Sequence, residues 1–322
     1  MRRLLVSLVL SLCVVNSPAL ADSYPSKSIR MVIPWPAGGF ADTLGRVVAT
    51  ELSTALKQTV IVENRGGSNG LIGADAAAKA APDGYTLMFH SVTSHVINPV
   101  LYSKVPYGLD ALVPIAVVAA APLMLVASPN SQVKNMEELT QLARSQPGTL
   151  SFASFGSGSA SHLAGELFKQ QAKVDLLHVP YRGGGPALAD TLAGHVPLYF
   201  AAFGVARPNV AQGRLKALAV TSSKRVKAMP DVPTMAEAAR LPNFEMSVSY
   251  AVWAPAKVPP EILQRISTEM NRITASPRFL ERLGTEGAEG PITTSVAESI
   301  SYVQSETARL TTLVKNAGIQ LD

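Results

Sequence analysis

The chain is nearly without cysteine. Its single one, Cys13, lies in an apolar run close to the N-terminus. Beyond that run there can be no disulfide, no thiolate metal site and no cysteine nucleophile. Charge is also sparse, at 16% of residues against 47% hydrophobic, the balance of a well-packed globular protein. Lys and Arg outnumber Asp and Glu only by 28 to 23, a mild excess. No basic stripe is interleaved with aromatics, so the composition gives no ground for a nucleic-acid partner. The longest apolar run, Leu4 to Val15, is shorter than the roughly 20 residues needed to span a bilayer. Histidines are few. His90 and His95 do not share a helical face and have no carboxylate near them in sequence. They read as hydrogen-bonding groups of a surface or a pocket, and neither a metal nor a cofactor is expected.

The first residues read as a leader. Arg2 and Arg3 form a basic start, Leu4 to Val15 is the apolar stretch, and Ala19-Leu20-Ala21 is a small-x-small cleavage site. Removal of residues 1–21 is expected, with export to the periplasm. It takes away Cys13 and two of the five excess positive charges.

Pro34-Trp35-Pro36-Ala37-Gly38-Gly39-Phe40-Ala41-Asp42 stands at the centre of what remains. The apolar run Ile29 to Ile33 leads into it. A helical stripe of Leu44, Val47, Val48, Leu52, Ala55 and Leu56 leaves it, so the stretch reads as strand, tight turn, helix. Adjacent glycines let the backbone take positive φ and let a ligand approach without a Cβ in the way. Free amides at the helix start favour an anion, with Asp42 or Thr43 as N-cap. A βα turn that binds nothing has the same pattern.

The same logic recurs along the chain. Tyr85 to Phe89 is a strand leading into a polar loop, His90 to His95, that holds Ser91 and Ser94. Val113 to Ala119 and Leu123 to Ala127 read as two apolar strands separated by Ala121-Pro122. Ser151-Phe152-Ala153 begins a strand, followed by Ser154-Phe155-Gly156-Ser157-Gly158-Ser159-Ala160-Ser161-His162 and a helical stripe. A third turn, Tyr181-Arg182-Gly183-Gly184-Gly185-Pro186, follows another strand, with Pro186 placed as the first helical residue. Arg182 is either a carboxylate partner or an ordinary solvated charge. Strands alternating with helices predict an α/β fold of mainly parallel sheets, with ligands at the carboxyl ends of the strands. The length predicts two lobes, and a cleft between them brings the loops together.

These residues resemble the solute receptors of tripartite tricarboxylate transporters, the Bug receptors, over nearly the whole chain after the leader. The marks are Tyr24-Pro25, Pro34-Trp35-Pro36-Ala37-Gly38-Gly39 with Asp42 and Arg46, and Val62-Glu63-Asn64-Arg65-Gly66-Gly67. Ala81-Pro82-Asp83-Gly84-Tyr85-Thr86-Leu87, Val179-Pro180-Tyr181-Arg182-Gly183 and Pro230-Asp231-Val232-Pro233-Thr234 follow in order. The resemblance implies a two-lobed periplasmic binding protein of type II, each lobe a mainly parallel sheet flanked by helices. Lobe 1 would take residues 22–107, lobe 2 residues 108–223, and residues 224–322 would return to lobe 1. It implies no catalysis, a monomer, and delivery of a small carboxylate to integral-membrane transporter subunits. By position, the Ala37-Gly38-Gly39-Phe40-Ala41-Asp42 loop would hold the carboxylate, with amides from Phe40 and Ala41. Ser157, Gly158, Ser159 and Ser161 would close from the other lobe, and Ser91, Ser94, Arg182 and Gly183 would line the rest. Two positions depart from the family: Ala201 stands where an Asp is common, and Ser249 near a position that is often aromatic. Both are expected at the cleft, and the missing carboxylate argues against a ligand with an amino group.

Two other roles compete. A receptor of this kind can feed a sensor instead of a transporter. An exported hydrolase would use Ser157, Ser159 or Ser161, but no G-x-S-x-G elbow and no Ser/His/Asp set is visible.

Overall fold

The computed structural model describes residues 24–316; the expected leader and its cleavage after Ala21 lie outside them. The first half runs β1 (Ile29–Ile33), α1 (Phe40–Leu56), β2 (Val60–Asn64), α2 (Leu71–Ala78), β3 (Thr86–Ser91), α3 (Val92–Leu101) and β4 (Leu112–Ala127). Next come α4 (Met136–Ser145), β5 (Ser151–Ser154), α5 (Ala160–Ala172), β6 (Leu177–Pro180), α6 (Gly184–Ala193), β7 (Leu198–Ala202), α7 (Phe203–Ala211) and β8 (Lys216–Val220). The chain ends with α8 (Met235–Ala238), β9 (Ser247–Pro255), α9 (Pro260–Thr274), α10 (Pro277–Thr285) and α11 (Val296–Asn316).

The strands follow one path, β2-β1-β3-β9-β4-β7-β5-β6, with β8 also on β4. The outer pairs β1/β2, β1/β3, β5/β6 and β5/β7 are parallel. The pairs made by β4 and β9 are antiparallel; β4 runs from one half into the other, and β9 lies between β3 and the first part of β4. The expected break at Ala121-Pro122 is absent: β4 is continuous through it. It pairs with β9 up to Pro122 and with β7 and β8 from Leu123 on. Pro122 is tolerated because β4 changes partner there, where a missing N–H costs least.

Local packing explains why the loops sit where they do. In α1 the apolar stripe Leu44, Val48, Leu52 and Leu56 is buried on the sheet. Each such side chain contributes about 1.5–3 kcal/mol. Gly45 on the same helix lets it lie close, since a Cβ there would stand 2.5 Å from Ile33 Cδ1 and 2.9 Å from Phe89 Cδ1. The polar stretch after β3 is not the loop expected from its sequence. The chain passes from β3 straight into α3, with Ser91 as N-cap accepting from the Ser94 amide. Both histidines are buried, and their ring centroids are 6.4 Å apart. The repetition of strand, small-residue turn and helix places the starts of α1 and α3 at the carboxyl ends of β1 and β3, and those of α5, α6 and α7 at the carboxyl ends of β5, β6 and β7.

Candidate ligand-binding cleft

The loop after β1 is built by Asp42. Asp42 is not the N-cap, which is Gly39; it stands in the first turn of α1 and its carboxylate reaches back. It accepts from the Gly38 amide at 3.0 Å, from Asn64 Nδ2 at 2.9 Å and from Arg46 Nε at 3.1 Å. Burial alone would raise its pKa, but these three donors bring it below the usual carboxylate range. Gly38 sits at φ +85, a conformation that Gly adopts without strain. The first bond of α1 runs from the Thr43 amide to the Gly39 carbonyl. The amides of Phe40, Ala41 and Asp42 precede it and no side chain caps them.

Phe40 and Ala41, together with Trp35 and Gly39, line a cavity of about 70 Å³ from one half of the sheet. From the other half come Phe155, Gly183, Gly184, Gly185 and Ala202. At about 10–15 Å³ per water sphere, the space holds about five waters or a small solute of that bulk. Two further helices start on the same cavity. Gly183 precedes α6 and Ala202 precedes α7, and neither is capped by a side chain. No Lys, Arg, His, Asp or Glu side chain is among the lining residues. The walls are aromatic. The Phe40 ring meets Tyr250 edge-on at 5.2 Å, and Trp35 meets Phe155 edge-on at 6.2 Å across the two halves. Tyr250 is 5% exposed and its hydroxyl, among the described residues, bonds to no protein group, so it is available to a solute. The Trp35 indole N–H donates to His90 Nδ1 at 3.2 Å, which fixes the ring and makes that imidazole nitrogen an acceptor. Burial holds His90 neutral, with its pKa well below the usual value.

The loop of small residues before α5 behaves otherwise. The hydroxyls of Ser159 and Ser161 are consumed within the fold. Ser159 Oγ donates to the Gly156 carbonyl at 2.6 Å and accepts from the His162 amide, and Ser161 Oγ donates to the Phe200 carbonyl at 2.6 Å. The Gly158 amide donates to His162 Nδ1 at 3.1 Å. None of Ser157, Gly158, Ser159 and Ser161 is among the cavity's lining residues, whereas Phe155 of the same loop is. Arg182 is exposed and also stands outside the lining. Ser91 and Ser94 line it, as do Ala37, Gly39, Phe40, Ala41 and Gly183; Gly38 and Asp42 hold the loop from behind. A Ser/His pair does occur: Ser154 Oγ lies 2.6 Å from His178 Nε2. Ser154 is fully buried and its oxygen also bonds both backbone groups of Gly156, so a substrate carbonyl has no path to it.

A sequence model of the tripartite tricarboxylate transporter family receptor matches residues 44–319. The chain belongs to that family. Protein BugT of Bordetella pertussis is 35% identical over 309 residues, covering 95% of this chain and 94% of that one. A protein of the tcbD-tcbE intergenic region of Pseudomonas sp. (strain P51) is 40% identical over 284 residues, 88% of this chain and 84% of that one. Among solved structures, R. palustris Rpa4515 with adipate superimposes with a TM-score of 0.89 at 31% identity, over 93% of this chain and all of that one. The periplasmic binding protein BugD gives 0.85 at 31% identity with the same coverage. MatC from Rhodopseudomonas palustris with bound malate gives 0.84 at 30%, over 90% of this chain and all of that one.

For a receptor of this family, two expected cleft positions lie elsewhere. Ala201 is fully buried and faces Met124 of β4; its neighbour Ala202 lines the cavity. Ser249 points to the opposite face of β9, where its hydroxyl lies 2.5 Å from that of Tyr302. That face borders a separate groove of about 880 Å³, with Lys224, Glu245 and Arg309 on its walls. Residues two apart share a strand face, so Val248 and Tyr250 enter the cleft while Ser247 and Ser249 leave it. The aromatic missing at Ser249 is supplied one residue later. Tyr199, Val248 and Tyr250 are cleft residues that the sequence reading did not name.

Proposed function

We propose that this family member binds a small carboxylate in the cleft and hands it to a membrane transporter. The observation that carries the reading is the convergence of α1, α6 and α7. Three N-termini without side-chain caps open on one small cavity that no charged side chain lines. Each contributes about half a positive charge, favouring an anion by about 0.3–1 kcal/mol when exposed and up to about 2 kcal/mol when partly buried. Phe40 and Ala41 amides take one carboxylate from the first half. Gly184 and Gly185 amides face it from the other, where a second carboxylate or a water-bridged polar end fits. The ligands in the two solved relatives, adipate and malate, are of this class. No acidic side chain stands ready for an amino group, so an amino acid is the poorer fit. Ser91 and Ser94 add hydroxyls on one side and Gly183 closes the other.

Lobe 1 then comprises β1 to β3, β9 and the helices around them, and lobe 2 comprises β5 to β8. The crossings fall at Pro122/Leu123 and between Thr221 and Met246, in place of a boundary at residue 108. The protein works as a monomer in the periplasm after cleavage behind Ala21. A thermal-shift screen against mono-, di- and tricarboxylates and aromatic acids tests the reading. A ligand at 100 times its dissociation constant stabilises by about 2.7 kcal/mol. A raised melting temperature with at least one acid supports the receptor. A flat screen, together with no acid released on denaturing the purified protein, contradicts it.

A further inference from the structure

We propose that Asn69 is the positioning residue that couples occupancy of the cleft to closure of the two lobes. The inference rests on the receptor reading above. Asn69 lies in the turn between β2 and α2, in the left-handed region at φ +50, and is 8% exposed. Its side chain is fully engaged. The Nδ2 group donates to the Asn98 Oδ1 at 2.8 Å and to the Gly158 carbonyl at 3.1 Å. Its Oδ1 accepts from Ser94 Oγ at 3.2 Å, and its own carbonyl accepts from Asn98 Nδ2 at 3.2 Å. The orientation of the amide is fixed, because a carbonyl oxygen such as that of Gly158 can only accept.

Two of these partners matter together. Ser94 lines the cleft, so a solute there touches the group that holds Asn69. Gly158 belongs to the loop on the far side of the cleft, 89 residues away in sequence. Asn69 is thus the link between a cleft hydroxyl in lobe 1 and the backbone of lobe 2. Among the described residues a companion bond nearby is weak, from the Tyr102 hydroxyl to the Ser157 carbonyl at 3.5 Å. When the lobes part, the Asn69 amide loses Gly158 and keeps Asn98, so its bond to lobe 2 exists only in the closed form. A solute that orders Ser94 orders Asn69 and favours that form. Other residues at this position lose either the donor or the backbone conformation: most side chains resist φ +50, and Gly accepts it but has no amide.

The test uses Asn69→Gly, which keeps the backbone conformation, and Asn69→Asp, which keeps the shape but turns an acceptor toward the Gly158 carbonyl. Nitroxide labels at Thr50→Cys and Gln141→Cys, on exposed helix positions of the two lobes in a Cys13→Ser background, report the interlobe distance by pulsed electron resonance. The proposal predicts that both variants shift the distance distribution toward the longer, open form with and without added adipate. It also predicts that their affinity for any acid bound by the parent falls by about tenfold, with Asn69→Asp the weaker. A distance distribution equal to the parent's in both variants overturns the proposal. So does a fall in melting temperature with distance unchanged, because that is the mark of a residue that merely braces lobe 1. If the parent binds no carboxylate, the receptor reading fails separately, and the distances measured without ligand still decide the role of Asn69.

Discussion

Replacing Gly39 with Val should remove ligand binding and leave the fold intact. Gly39 has φ −82 and ψ 169, extended values that a β-branched residue adopts freely. A Cβ there would meet nothing nearer than the Pro36 carbonyl at 3.9 Å, so the protein has room for the side chain. The room is the cleft itself. Three carbon atoms would enter a cavity of about 70 Å³ that holds about five waters, and they would lie beside the Phe40 and Ala41 amides. Gly39 is also the N-cap, and exchange of Gly for an aliphatic residue there costs about 0.5–1 kcal/mol. That lowers the melting temperature by no more than about 2–4 °C. Calorimetric titration with an acid that binds the parent should show at least a hundredfold weaker binding in Gly39→Val and an intermediate loss in Gly39→Ala. A folded Gly39→Val protein with the parent's affinity would refute the placement of the carboxylate.

Other consequences follow from neighbouring groups. Asp42→Ala leaves the Gly38 amide without its partner and takes from Asn64 Nδ2 one of its two acceptors; stability should fall by about 1–3 kcal/mol in denaturant titration, with weaker binding as the loop loosens. Gly45→Ala forces a Cβ into Ile33 and Phe89 and should cost about 1–3 kcal/mol without changing ligand preference. Tyr250→Phe removes a hydroxyl that bonds to none of the described residues; stability should stay within about 0.5 kcal/mol while affinities for different acids change unequally. Buried histidines set a pH dependence. Burial lowers His162 to about 3 and His178 and His95 to about 4. The unfolded chain titrates near 6.5, so below that pH it binds more protons than the folded one. The stability from the neutral rings is whole above pH 6.5 and drains as pH falls toward 4, by up to about 1.4 kcal/mol per pH unit for each ring. Denaturant unfolding at pH 7.5, 6 and 5 should show this decline, and equal stability at all three would contradict it.

Much of this arrangement is legible in the residues. The stripe from Leu44 to Leu56 and the glycines before it place the first loop, and the family resemblance implies the role proposed for it. The second loop is harder. Ser159 and Ser161 look like ligand groups because hydroxyls before a helix often are; that they bond Gly156 and Phe200 instead is decided by tertiary contacts. Along β9 the alternation of Ser247 and Ser249 with Val248 and Tyr250 defines two faces. Which face meets the cleft depends on Tyr302 of α11 and Phe40 of α1, far away in sequence. The polar run His90 to His95 looks like a loop by composition, yet Ser91 caps a helix there and burial supplies the rest. Asn69 hides in a turn-rich segment, where Asn usually serves only the turn.

The central claim is that free amides at helix starts hold a carboxylate. The direct measurement is calorimetric titration of the protein with the best acid from the screen and with the methyl ester of that acid. The account predicts binding of the acid and at least a hundredfold loss for the ester, since an ester offers neither the charge nor the second acceptor oxygen. Equal binding of acid and ester would contradict it.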